Sequence, residues 1–107
     1  MTTIYAIHGT DPDKLAQVID EMRSLGAPTI EVVDCGDYMQ ALEGSHRLAA
    51  ASALGLMPAM IIHEQGETLD VTGYDWFDEA NWSGQEYTAG EVAGELFSPH
   101  QAVPYSF

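Results

Sequence analysis

The sequence predicts an α/β fold of the α+β kind, a small mixed sheet with helices packed on it. Three observations predict it. β-branched or alternating runs recur at residues 3–7, 29–34, 38–42 and 60–63, each of strand length. Two helical stretches separate them: residues 12–25 repeat apolar side chains with helical period, and residues 45–54 are rich in alanine. Glycine or proline punctuates most of the junctions.

The elements follow in order. Thr3-Ile4-Tyr5-Ala6-Ile7 alternates weakly and reads as a short strand. Asp11-Pro12 then opens a helix, with Asp11 as N-cap and Pro12 at the first helical position. Leu15, Val18, Ile19, Met22 and Leu25 form one apolar face. Gly26 suits a left-handed C-cap, and Pro28 prevents continuation. Lys14, Gln17 and Glu21 share a second face. TIEVVD at 29–34 reads as a strand, Cys35-Gly36-Asp37 as a turn, and residues 38–42 as the hairpin partner.

The helix from Ser45 to about Leu54 carries Ala49, Ala50, Ala51 and Ala53, small enough for close packing on a sheet, with Leu48 and Leu54 as larger anchors. Gly55 ends it, and residues 60–63 read as a buried strand. Gln65-Gly66 is a turn, and residues 68–72 suggest a further short strand. Tyr74, Trp76, Phe77 and Trp82 have spacings suited to one or two helical turns. Thr88 is placed to cap a last helix bearing Val92, Leu96 and Phe97. Residues 98–107, with two prolines, read as extended.

The 107 residues are read as a single domain, of which residues 65–107 form an acidic, aromatic C-terminal extension without Lys or Arg. A hydrophobic fraction of 46% favours a packed core over disorder. No apolar run has the length of a membrane span. The opening MTTIYAIHG lacks the basic region and apolar core of a signal peptide. Cys35 is the lone cysteine, so no internal disulfide forms. These features place the chain in the cytoplasm as an expectation. Asn81-Trp82-Ser83 fits a glycosylation sequon, which has no meaning without secretion.

The formal net charge is −14, with Lys14, Arg23 and Arg47 as the only fixed cations. Such a chain repels phosphate backbones, so direct binding to duplex DNA is not expected. A halophilic source, an acidic surface for a basic partner, or simply a soluble acidic protein would each produce this balance.

The stretch that carries chemistry is Glu43-Gly44-Ser45-His46-Arg47. It joins a strand to a helix, so its amides lie at a helix N-terminus, where free N–H groups and the helix dipole favour anions. Glycine at 44 permits the sharp turn. His46 and Arg47 add side-chain donors. Each has a plainer role too: Arg47 could pair with Glu43 or Asp34, and His46 could orient the turn. His8, His63 and His100 show no metal-ligand spacing relative to His46, so no resident metal is assigned.

GSHRLAAASALG followed by PAMII resembles the second signature box of the ParB/sulfiredoxin superfamily, whose turn holds nucleotide phosphates. DPDKLAQVIDEM resembles the sulfiredoxin helix that opens Asp-Pro-x-Lys. The likeness spans roughly residues 4–64, in the right order. It implies a ParB-like fold and nucleotide or phosphate binding by Lys14, Gly44, Ser45, His46 and Arg47. ATP, ADP or CTP with Mg²⁺ would be the ligand. It leaves open phosphoryl transfer or hydrolysis, with Glu43 and His46 as catalytic candidates: Glu43 for Mg²⁺ or as base, His46 as acid–base group. Ser45 stands where sulfiredoxins carry cysteine, so sulfinic-acid repair is not expected. Gln17 and Glu21 stand where they carry Ser and Thr, and Glu21 would repel a phosphate without an intervening cation. The alternative is a non-catalytic acidic interaction or inhibitor protein that binds a basic partner or mimics nucleic acid.

Overall fold

The computed structural model describes residues 2–82 and 86–107; Ser83 of the sequon lies outside them. The chain runs β1 (Thr3–Ala6), α1 (Pro12–Leu25), β2 (Thr29–Asp34), β3 (Met39–Ala41), α2 (Ser45–Leu54), β4 (Ala59–His63), β5 (Thr68–Leu69), a 3₁₀ turn (Val71–Gly73), β6 (Tyr87–Thr88), α3 (Ala89–Leu96) and β7 (Val103–Ser106). It is an α+β fold. Five strands form a mixed sheet in the order β4-β2-β3-β1-β7, and β5 and β6 form a small second sheet. β2 and β3 are the antiparallel hairpin, while β1–β3 and β2–β4 are parallel pairs.

Paired residues share a face of the sheet, and this divides the core in two. Ile4, Ala6, Ile30, Val32 and Ala41 face α2, where Leu48 packs among them. Val33 and Leu42 face the other way and pack with Leu69, Val71, Val92 and Leu96 of the C-terminal third. That third, whose function the sequence leaves unread, therefore covers the second face of the sheet.

α2 explains its own composition. Its Leu48 enters the sheet core, while Ala50 and Ala51 pack with Met22, Leu15, Val18 and Ile19 of α1. A helix covered on two sides at close range needs small side chains on both. Ala50→Leu should therefore lower unfolding free energy by about 1–3 kcal/mol through overpacking, read by urea denaturation. An unchanged midpoint would mean that the α1–α2 contact is looser than its burial indicates.

α1 begins as its sequence predicts, the Asp11 carboxylate accepting from Asp13 N–H; it ends at Gly26, whose φ of +83° is positive but whose ψ of −166° is extended rather than left-handed helical. Thr88 caps α3 by accepting from Glu91 N–H. Other expectations need correction. Leu25 is 83% exposed, because the core stripe ends at Met22. β4 is an edge strand whose Ile61 and Ile62 are 50% and 46% exposed, so an apolar run does not make it buried. The strand expected at residues 68–72 stops at Leu69, where Asp70 caps a 3₁₀ turn. The aromatic segment 74–82 forms turns rather than helix, ordered by its rings: Tyr74 and Trp76 stack at 5.0 Å, and Trp76 meets Trp82 at 4.9 Å. Of residues 98–107, the first half folds as a turn closed by Ala102 N–H donating to the Ser98 carbonyl at 2.7 Å, and only Val103–Ser106 is extended, as β7 pairing antiparallel to β1.

Candidate functional site

Gly44 ends the crossing from β3 into α2. It sits at the N-cap with φ +75°, the left-handed region that glycine enters without penalty. The space adds to the constraint: a Cβ here would stand 2.8 Å from Ile30 Cδ1 and 3.2 Å from the Arg47 guanidinium, so both side-chain ends would have to shift. Glycine supplies no capping side chain, and none bonds the first turn. Leu48 N–H is the first to find a helical acceptor, the Gly44 carbonyl at 2.8 Å. The amides of Ser45, His46 and Arg47 come before that ladder begins.

Beside this turn lies a cleft of about 510 Å³. Its lining includes Lys14, Glu43, Gly44, Ser45, His46 and Arg47, every site residue that the sequence singles out. Lys14 arrives from α1, about thirty residues away in the chain. A chain with three Lys and Arg residues thus puts two of them into one cleft. Lys14 is exposed and makes no ion pair among the described residues. Gln17 and Glu21 are exposed on α1 and do not line the cleft.

Arg47 is already engaged. One arm donates to the Thr29 carbonyl at 3.1 Å, tying α2 to the start of β2, and the other pairs with Glu43 at 3.1 Å. Glu43 rather than Asp34 is its partner. Both side chains are more than a third exposed, so the pair itself stabilises the fold by about 0–1 kcal/mol. The remaining guanidinium donors are uncommitted by these contacts.

His46 holds the loop before α1, where its Nε2 accepts from Asp11 N–H at 3.0 Å. An accepting Nε2 means a neutral ring with the proton on Nδ1. Burial lowers its pKa from 6.5, and the nearby Lys14 and His8 lower it further. His46 thus positions α1 over the α2 turn while its other nitrogen is a donor.

Ile7, His8, Val18, Asp75 and Trp76 complete the cleft wall and were not legible as site residues. His8 follows β1 and places its ring 6.1 Å from that of His46. Trp76 is fixed by donating to the Leu42 carbonyl at 2.6 Å. No sequence signal links the C-terminal third to the turn; the connection is made by the sheet between them. Cys35 lies elsewhere, its thiol pKa raised mainly by burial, consistent with an unreactive cysteine.

A second polar cluster lies at the β4 end of the sheet. His63 Nε2 meets Glu31 at 3.1 Å, and His63 Nδ1 meets Glu67. Tyr74 donates to the same Glu31 oxygen at 3.1 Å. A ring whose two nitrogens both face carboxylates favours the imidazolium over the neutral form. Burial alone would lower its pKa, but the hydrogen bonds to Glu67 and Glu31 outweigh burial and raise it above 6.5. The stabilisation is full below 6.5, the unfolded value, and is lost as pH rises through the raised folded pKa. The stability difference between the parent and His63→Gln should therefore shrink with rising pH in that window. A constant difference from pH 5 to 9 would show that His63 acts only by packing.

Among the described residues no helix is long and apolar enough to cross a membrane, and no group of His, Cys, Asp and Glu is arranged to hold a metal ion. No family model matches this chain, and no curated protein or solved structure does so either.

Proposed function

We propose that the cleft at the α2 N-terminus binds the phosphates of a nucleotide. The observation that carries this reading is convergence: Lys14 and Arg47, from separate helices, meet at an uncapped helix start whose turn only glycine fits. Unpaired helical amides, a guanidinium and an ammonium are complementary to phosphate oxygens. The Gly-Ser-His-Arg box, with its resemblance to the ParB/sulfiredoxin superfamily, supports the same reading. ATP, ADP or CTP with Mg²⁺ is the ligand class, in a cytoplasmic protein. Glu43 and Asp75 beside the phosphates would meet Mg²⁺ rather than the anion.

Phosphoryl transfer or hydrolysis extends this reading through Glu43 as base. His46 fits positioning and hydrogen-bond donation better than acid catalysis, because its Nε2 is occupied and its pKa is lowered. Calorimetric titration with each Mg-nucleotide tests the proposal. Lys14→Ala should weaken binding by about 1.5–3 kcal/mol, as for loss of a charge-assisted hydrogen bond. Equal affinity for the variant would remove Lys14 from the site.

A further inference from the structure

We propose that β4 accepts an additional strand from a partner protein, an extended segment bearing cationic side chains. This goes beyond the phosphate cleft and does not depend on it. β4 is the outer strand of the five-stranded sheet. Ala59 N–H donates to the Pro28 carbonyl at 2.9 Å, toward β2. Alternation then turns the backbone groups of Ile61 and His63 inward and those of Met60 and Ile62 outward, to open solvent. Ile61 lies level with Glu31 on one face and Ile62 level with Val32 on the other. Each is about half exposed, at 50% and 46%. A strand added here would satisfy the outward groups and cover both side chains at once.

The opposite edge argues by contrast. β7 carries Pro104, a residue that blocks edge pairing, whereas Ala59-Met60-Ile61-Ile62-His63 has neither proline nor lysine. Charge selects the occupant. A second copy would bring together two chains of net charge −14. Glu64 follows the strand directly, and Glu31 and Glu67 flank its end through His63. An incoming strand with alternating basic and apolar residues is complementary to this edge; an acidic one is not.

The test uses the whole chain and peptides of about ten residues with alternating lysine and valine. The Lys-Val peptide should bind by fluorescence anisotropy and slow hydrogen exchange of the Met60 and Ile62 amides by about tenfold or more. A Glu-Val peptide should not bind. N-methylation of the peptide amides that face β4 should abolish binding, while N-methylation of the alternate set should leave it intact. Ile62→Pro, which removes one outward N–H, should abolish it too, and the N-methyl pair decides the matter if that variant fails to fold. Failure of the Lys-Val peptide to bind, equal binding of both N-methyl sets, or unchanged exchange at Met60 and Ile62 would overturn the proposal. Concentration-dependent dimerisation that Ile62→Pro suppresses would overturn it in favour of a second copy.

Discussion

Replacing Gly44 with alanine should cost about 2–5 kcal/mol of stability and abolish anion binding at the turn. The estimate joins two effects. An alanine held at φ +75° pays about 1–2 kcal/mol for left-handed backbone. Its Cβ, 2.8 Å from Ile30 Cδ1 and 3.2 Å from the guanidinium, makes the end of the buried Ile30 side chain and the Arg47 head shift, a cost comparable to overpacking, about 1–3 kcal/mol. Gly55→Ala is the matched control: its φ is +69°, but a Cβ there meets nothing within 4 Å. Urea denaturation of the two variants separates backbone strain from contact. Equal losses would show that the turn has room to spare, and that its glycine reports conformation alone.

Arg47→Ala should weaken nucleotide binding by about 1.5–3 kcal/mol, the cost of a lost charge-assisted contact. The partner substitution is more discriminating. Glu43 holds one arm of Arg47 at 3.1 Å and adds a negative charge beside the anion position. Glu43→Gln should therefore strengthen binding of tripolyphosphate in the absence of Mg²⁺. With Mg²⁺ present the same change should weaken nucleotide binding, because a carboxylate available to the cation has gone. If Glu43→Gln affects both titrations in the same direction, Glu43 serves either the ion pair or the metal, not both. Stability should move little in Glu43→Gln, since the ion pair is exposed and the Thr29 carbonyl contact survives.

Legibility in the sequence followed the range of the interactions. Local signals were readable because their causes are local: Asp11 capping α1, Gly26 ending it, the Ala-rich pattern of α2, Thr88 capping α3. The turn itself was legible because a sharp strand-to-helix junction that needs positive φ selects glycine. Position within the sheet was not. Met60-Ile61-Ile62 has the composition of a buried strand, yet burial depends on a neighbour on each side, and β4 has one. The turns of the aromatic segment likewise depend on stacking and on the distant Leu42 carbonyl, which no spacing rule anticipates. Asp75 and Trp76 reach the cleft only because the C-terminal third folds across the sheet. Glu31 and His63 meet because β2 and β4 are parallel neighbours, although each taken alone is an ordinary polar residue.

The most direct measurement is the amide NMR spectrum of the parent protein during titration with Mg-ATP, with Mg²⁺ alone as the reference. The phosphate-cleft account predicts saturable shifts centred on the backbone amides of Ser45, His46 and Arg47, absent with Mg²⁺ alone and diminished in Lys14→Ala. Shifts confined to acidic surface residues, or no saturable shift at the α2 start with ATP, ADP or CTP, would contradict it.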